Sequence, residues 1–302
     1  MSPTQKVIKY VAMAFAVGLM VTILSSILLV VTGVSQSNRL FASETNYIDF
    51  TKEFNDVENL DISNYSGKIY VQPGNVDQVI VEAKNVPESL KAEMTSEHTL
   101  LVEDDDQDNF LFSFWFFDAM DDEDTKVTII IPNKIYFESV KFDNGSGAME
   151  ISGIKTKSFY FDGGSGGIII SDVSSEKAEI STGSGSLTMD NANLEKGYIN
   201  SGSGAVRITN SAFSDTEFDT GSGALSFAGA LMGDSTISSG SGAMLIELTD
   251  RIDNYDVELD PGTGGIWVNG EKYEDEDIKN KDAENDLSIE SGSGEITINF
   301  AQ

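Results

Sequence analysis

The chain contains no cysteine in 302 residues. That excludes disulfide bridges, thiolate-ligated zinc and a thioether lipid anchor. It has one histidine, His98, in the run Ser96-Glu97-His98-Thr99, where no nucleophile motif surrounds it. A histidine-based triad or an imidazole metal cage therefore lacks its components. Positive charge is scarce as well: 19 Lys and Arg stand against 50 Asp and Glu, for a net charge of −31. So acidic a surface repels phosphate backbones, which excludes nucleic acid as a partner. Proline is limited to five residues, and no proline-rich linker divides the chain.

The one long apolar run lies at the start. Between Lys9 and Arg39 there are 29 residues without a charge, including Val17, Leu19, Ile23, Leu24 and Leu28. About 20 such residues span a bilayer core. Lys6 and Lys9 precede the run and acidic residues dominate beyond Arg39, which predicts the N-terminus inside and the rest outside the cell membrane. The pattern divides into a cytoplasmic segment over 1–9, a transmembrane helix over 10–34 and a tether over 35–56. The alternative is a cleaved signal peptide with Phe41-Ala42-Ser43 in its processing region, although the run is longer than a typical signal core.

A Gly-Ser-Gly triplet then recurs every 19 residues. Its glycine pairs are Gly145 and Gly147, Gly164 and Gly166, Gly183 and Gly185, Gly202 and Gly204, Gly221 and Gly223, and Gly240 and Gly242. Two looser copies follow, Gly262-Thr263-Gly264 and the pair Gly292 and Gly294, offset by 22 and 30 residues. Three positions before the first glycine stand Phe142, Phe161, Ile180, Ile199, Phe218 and Ile237. Four and six positions after it come apolar pairs such as Met149 and Ile151, Ile168 and Ile170, and Leu187 and Met189. Period-2 alternation on both sides of a glycine bend reads as strand, corner, strand. Glycine suits the corner because it tolerates positive φ and lets neighbouring backbones approach closely. A fixed period of this length marks a solenoid whose repeats bury their apolar faces on one another.

The expected architecture is therefore an all-β, single-domain parallel β-solenoid (a β-helix) over 57–302, with 19 residues per coil. It is right-handed by the general preference of parallel crossovers. Regular rungs run over 139–252, and insertions rich in acidic residues occupy 103–125 and 270–286. Eight coils at about 4.8 Å spacing make a rod of about 40 Å. Ile62, Ser66, Gly67, Ile69 and Val71 fit the same template, with Tyr65 in place of the first glycine, as an early degenerate rung.

Chemistry-bearing residues are few. The glycines recur between strands with no following Lys-Ser/Thr, unlike a phosphate loop. Two positions before the first glycine runs a column of Asp143, Asp162, Ser181, Asn200, Asp219 and Ser238. Such residues bond backbone amides at turns; the alternative has Asp143 and Asp162 sharing Ca²⁺ on adjacent rungs. No other cofactor is indicated. The segment 110–117 holds five Phe and one Trp, flanked by Asp118, Asp121 and Asp122. It reads either as an apolar cap on the open end of the solenoid or as a contact tip made of Phe112, Phe114, Trp115, Phe116 and Phe117. Some β-solenoids are carbohydrate-active enzymes, but Arg207 and Arg251 are the only arginines of the repeat region, and no carboxylate pair stands apart from the many acids.

From about Tyr47 to Phe300 the chain resembles a bacterial domain family of unknown function, a Gly-Ser-Gly-repeat β-solenoid labelled as adhesins by inference. The resemblance rests on Ile62 to Val71, Thr128-Ile129-Ile130-Ile131-Pro132 and the unit repeated from Phe142 onward. It implies a non-enzymatic, membrane-anchored surface protein, of a kind often found in Gram-positive bacteria, binding an envelope, glycan or protein ligand. Since some members lie in envelope-stress operons, it also implies an accessory role in envelope sensing as the alternative.

Overall fold

The computed structural model describes residues 46–63, 65, 67–104, 125–273 and 277–302. The expected transmembrane helix over 10–34 lies outside these residues, and among the described residues no helix is long and apolar enough to cross a membrane. A compact unit, Tyr47–Gln302, holds all the described strands. It is all-β, with a single 3-10 turn, Ile252–Asn254, among the described residues.

The unit opens on β1 (Tyr47–Phe54), followed by β2 (Asn59–Ser63) and β3 (Lys68–Gly74) on either side of Tyr65. Next come β4 (Val79–Pro87), β5 (Leu90–Met94), β6 (Thr99–Asp104) and β7 (Lys126–Pro132). The tether expected over 35–56 thus ends early. Residues 47–54 are strand, paired antiparallel with β4, because the alternating Ile48, Phe50 and Phe54 pack against the core.

The regular array begins with β8 (Phe137–Asn144), β9 (Met149–Ser152), β10 (Lys155–Gly163), β11 (Ile168–Ser171), β12 (Ser174–Thr182) and β13 (Leu187–Asp190). It continues through β14 (Asn193–Leu194), β15 (Gly197–Ser201), β16 (Val206–Ser214), β17 (Thr216–Thr220), β18 (Leu225–Met232), β19 (Asp234–Ser239) and β20 (Met244–Arg251). Strands before each triplet pair in parallel, with Phe142 opposite Phe161 and Phe161 opposite Ile180. Strands after it form a second column through Met149, Ile168, Leu187, Val206, Leu225 and Met244. A third, shorter strip aligns Thr156, Ser175, Leu194 and Phe213.

The three strips enclose one apolar core. Phe213, Phe218 and Phe227, one from each strip, bring their ring centroids within 5.7 to 5.9 Å of one another. Each such fully buried side chain contributes about 1.5–3 kcal/mol relative to exposure. Between Ile208 and Ser211 the ladder shifts by one residue, so Ser211 pairs with Gly229.

The far end comprises β21 (Tyr255–Asp260), β22 (Ile266–Val268), β23 (Glu271–Tyr273), β24 (Asn285–Ser291) and β25 (Ile296–Ala301). Here, and at the near end, stacking order departs from the sequence order that a simple repeat implies. β2 lies between β6 and β8, and β3 between β7 and β9. At the far end β24 lies between β19 and β21, and β25 between β20 and β22. The Gly292 copy, which keeps the Gly-Ser-Gly triplet, is therefore an interior coil, and the Gly262 copy, with Thr263 in its triplet, is terminal. An interior coil must fit a neighbour on both sides, whereas a terminal one fits on one.

Antiparallel strands cover the ends: β5 on β6, β4 on β7 and β23 on β22. Residues from the expected acidic insertion 270–286 cross the last coil. Val257 and Ile278 exchange backbone hydrogen bonds of 2.9 and 3.0 Å, and the Asn280 amide donates to the carbonyls of Ile252 (3.0 Å) and Tyr255 (2.6 Å). The aromatic segment 110–117, considered above as a cap, lies outside the described residues.

Candidate functional site

The corners that carry the triplets are set by contact between coils. A Cβ placed on Gly204 would lie 1.8 Å from the carbonyl oxygen of Gly185, and one on Gly202 2.7 Å from that of Gly183. From Gly164 through Gly242, and at Gly292 and Gly294, the corresponding distances stay between 1.8 and 2.8 Å. Positive φ is not the reason for these glycines: among the described triplet glycines Gly262 alone adopts it, at +55°. The backbone ladder runs straight through the corner instead. The amide of Ser184 donates to Gly164 O, that of Ser203 to Gly183 O and that of Ser222 to Gly202 O, at 3.0, 3.0 and 2.9 Å.

Just before six of the eight triplets stands a buried polar residue: Asn144, Thr182, Ser201, Thr220, Ser239 or Ser291. Ser201, Ser239 and Ser291 each donate a side-chain hydrogen bond to the carbonyl of the triplet's last glycine, at 3.1, 3.1 and 3.0 Å. Asn144 does so at 2.7 Å. These bonds hold the corner closed from inside.

Left-handed backbone occurs at another corner, at Gly153, Asp172, Asn191 and Asn210, with φ of 72°, 54°, 52° and 51°. These four are also 19 residues apart, a signal present in the sequence and unused above, since Gly, Asn and Asp are the residues that tolerate this conformation. Side chains at and beside three of these positions bond from coil to coil. Asn191 donates to Asp172 at 2.5 Å, and Thr209 and Asn210 donate to Asp190 at 2.7 and 2.8 Å. The Thr209 hydroxyl first, then the Asn210 amide, holds the Asp190 carboxyl below the usual carboxylate range.

The acidic residues face outward. Asp143 and Asp162 are opposite one another and both exposed. Among the described residues no group of three His, Cys, Asp or Glu side chains comes together as a cation cage. A second carboxylate row arises from the inverted stacking, which sets Asp286 between Asp234 and Asp256. Lys279 balances one end of it, 3.2 Å from Asp256 and 3.7 Å from Asp277. His98 is a turn residue, with φ 54° and its carbonyl accepting from the amides of Glu58 and Asn59 at 3.0 and 3.1 Å.

Among the described residues, two open grooves stand out. One, of about 560 Å³, lies where the ladder slips, between Asn210, Ala212, Ala228, Gly229 and Glu247. The other, of about 490 Å³, lies near the opening end between Asp49, Glu82, Lys84 and Lys126. Glu247 is the only titratable group lining the first, so no acid–base pair is assembled there. The contact-tip residues Phe112, Phe114, Trp115, Phe116 and Phe117 lie outside the described residues.

A family model described as Toastrack DUF4097 matches residues 57–299. No curated protein matches the chain. Among solved structures it is similar to "a putative adhesin" from Bacteroides fragilis, at 13% identity and a TM-score of 0.44, over 84% of this chain and 97% of that one. It is also similar to "a putative cell adhesion protein" from Clostridium sporogenes, at 13% identity and a TM-score of 0.32, over 85% and 100%. A "putative lipid binding protein" from Parabacteroides distasonis matches at 13% identity and a TM-score of 0.43, over 84% and 98%.

Proposed function

We propose that this chain, which belongs to the Toastrack DUF4097 family, is a non-enzymatic display module. A single-pass anchor over 10–34 holds the all-β unit on the outer side of the cell membrane, where it binds another envelope or extracellular component. The observation that carries this reading is the organisation of the stack. Inward positions repeat with the coil and are apolar, whereas outward positions vary and are dominated by carboxylates and small polar groups. Chemistry of that kind offers an extended rigid surface, suited to contact along its length.

The 29-residue uncharged run and the charge asymmetry around it support the anchor. We assign the contact itself to the aromatic run Phe112, Phe114, Trp115, Phe116 and Phe117, because aromatic residues are enriched among those that carry interface energy.

The test is a binding screen of residues 47–302 against cell-wall polymers, glycans and matrix proteins, with Ca²⁺ and with chelator. The expected result is saturable binding, weakened at least tenfold when Phe114, Trp115 and Phe116 are all changed to Ser. Loss of binding in chelator alone would assign the contact to a Ca²⁺ site at Asp143 and Asp162 instead. Absence of binding to every class would overturn the display reading in favour of an accessory role in envelope sensing through the helix.

A further inference from the structure

We infer that the outward face of the strip formed by β8, β10, β12, β15 and β17 binds a linear polysaccharide carrying free amino groups, with one sugar ring laid on each coil. The observation is an alternating row across that face. Tyr160 stands opposite Glu179, Glu179 opposite Tyr198, and Tyr198 opposite Glu217. The two tyrosines are half-buried and the two glutamates exposed. Their neighbours Phe161, Ile180, Ile199 and Phe218 are buried in the core, so the row lies on the solvent side of the stack. The Tyr198 hydroxyl accepts from the Asn200 amide at 3.1 Å, two residues along the same strand. Its ring therefore leans along the strand, over the face.

The charge of the face selects a cationic ligand. A second row, two positions further along each strand, holds Asp143, Asp162, Ser181, Asn200 and Asp219, with all three aspartates exposed. In these two rows Lys141 is the one basic residue, and it is drawn to Asp61 at 3.6 Å; Lys177 flanks them on β12. Carboxylates gathered this way raise the local concentration of cations. An ammonium group over a tyrosine ring gains cation–π attraction as well.

The spacing selects a sugar polymer over a basic peptide. Coils repeat at about 4.8 Å, close to the advance of one ring in an extended β-linked hexose chain. The tyrosines, two coils apart, then meet alternate rings at about 9.6 Å, and the apolar face of a pyranose packs on an aromatic ring. An extended peptide presents side chains to one face at about 6.6 Å, which matches neither interval. This surface shares no residue with the aromatic run 110–117 or with the anchor, so a contact here and a contact there are tested separately.

The test titrates the full-length chain, in uncharged detergent at physiological ionic strength, with a hexamer of β-1,4-linked glucosamine. A mildly acidic pH keeps the amino groups protonated and the carboxylates ionised. The expected result is saturable binding that falls at least tenfold when Tyr160→Ser and Tyr198→Ser are combined, and at least threefold for Glu179→Gln, an exposed change that leaves the core intact. Ile169→Ser, exposed on β11 in the second strip, should bind as the unaltered chain does. The fully N-acetylated hexamer should bind at least tenfold more weakly. Equal binding of hexalysine would overturn the inference by showing attraction to net charge alone. Binding left unchanged by Glu179→Gln and by the tyrosine pair, or no binding at all, would overturn it too.

Discussion

Single residues in this chain answer to their neighbours on adjacent coils more than to their own backbone. Gly204 and Gly167 illustrate it, being two glycines two coils apart with opposite expectations. A Cβ on Gly204 meets Gly185 O at 1.8 Å, whereas on Gly167 the nearest atom is Ser186 Oγ at 3.7 Å. Gly204→Ala should lower the stability of residues 47–302 by about 3 kcal/mol or more, because backbone on a stacked strand cannot move aside. Gly167→Ala should raise it slightly, by less than about 1 kcal/mol, by restricting the unfolded chain. Ala148, Ala205 and Ala224 already occupy equivalent positions. Denaturant unfolding of the two variants separates these outcomes.

Buried hydroxyls give a second contrast. The Ser201 hydroxyl is bonded to Gly204 O, while that of Thr182 is buried without a partner. Ser201→Ala should cost about 1 kcal/mol, and Thr182→Val should be neutral or stabilising in the same measurement. Burial, more than the nearby carboxylates, pushes the hydroxyls of Tyr65 and Tyr255 up to about 12. The folded values exceed the ordinary 10 of tyrosine, so the unfolded chain loses these protons first as pH rises. Their stabilising contribution is complete below pH 10 and is lost between about 10 and 12. Unfolding free energies measured across that interval should fall, and Tyr65→Phe should flatten the decline.

At the scale of elements, the nineteen-residue period made the strands legible but not their order. Phe142, Phe161 and Ile180 share a row, as alternation indicates. Nothing in that alternation distinguishes the Gly262 copy from the Gly292 copy as the neighbour of Gly240, since both present apolar residues at the same offsets. The physical difference lies in the triplets and their spacing: Gly262-Thr263-Gly264 takes a left-handed first glycine and ends the stack. The antiparallel strand 47–54 was hidden for a similar reason, its short alternation lying in a segment read as a tether. Because coils contact only their neighbours, removal of one whole coil, residues 164–182, should leave a cooperatively folding protein with a modestly lower Tm. Removal of ten residues from the same place should lower the Tm much further, since the nine residues left cannot close a coil and the coils on either side lose their neighbour. Circular dichroism melts of the two deletions distinguish the cases.

For the whole molecule, composition and period together led to the all-β stack, and the net charge of −31 set its surface chemistry. The carboxylate row through Asp234, Asp286 and Asp256 was not legible, because residues so far apart in sequence meet only through the inverted order. So many like charges oppose compaction. Stability of residues 47–302 should therefore rise between low and moderate NaCl, and an unchanged Tm would show that the charges are too dispersed to matter. We propose that this charged stack is displayed outside an anchoring membrane helix. The most direct measurement of that display uses the cysteine-free chain with one exposed substitution, Ser165→Cys, expressed in a Gram-positive host and treated with a membrane-impermeant maleimide. Labelling in intact cells equal to that after lysis is the predicted result; labelling only after lysis would contradict it.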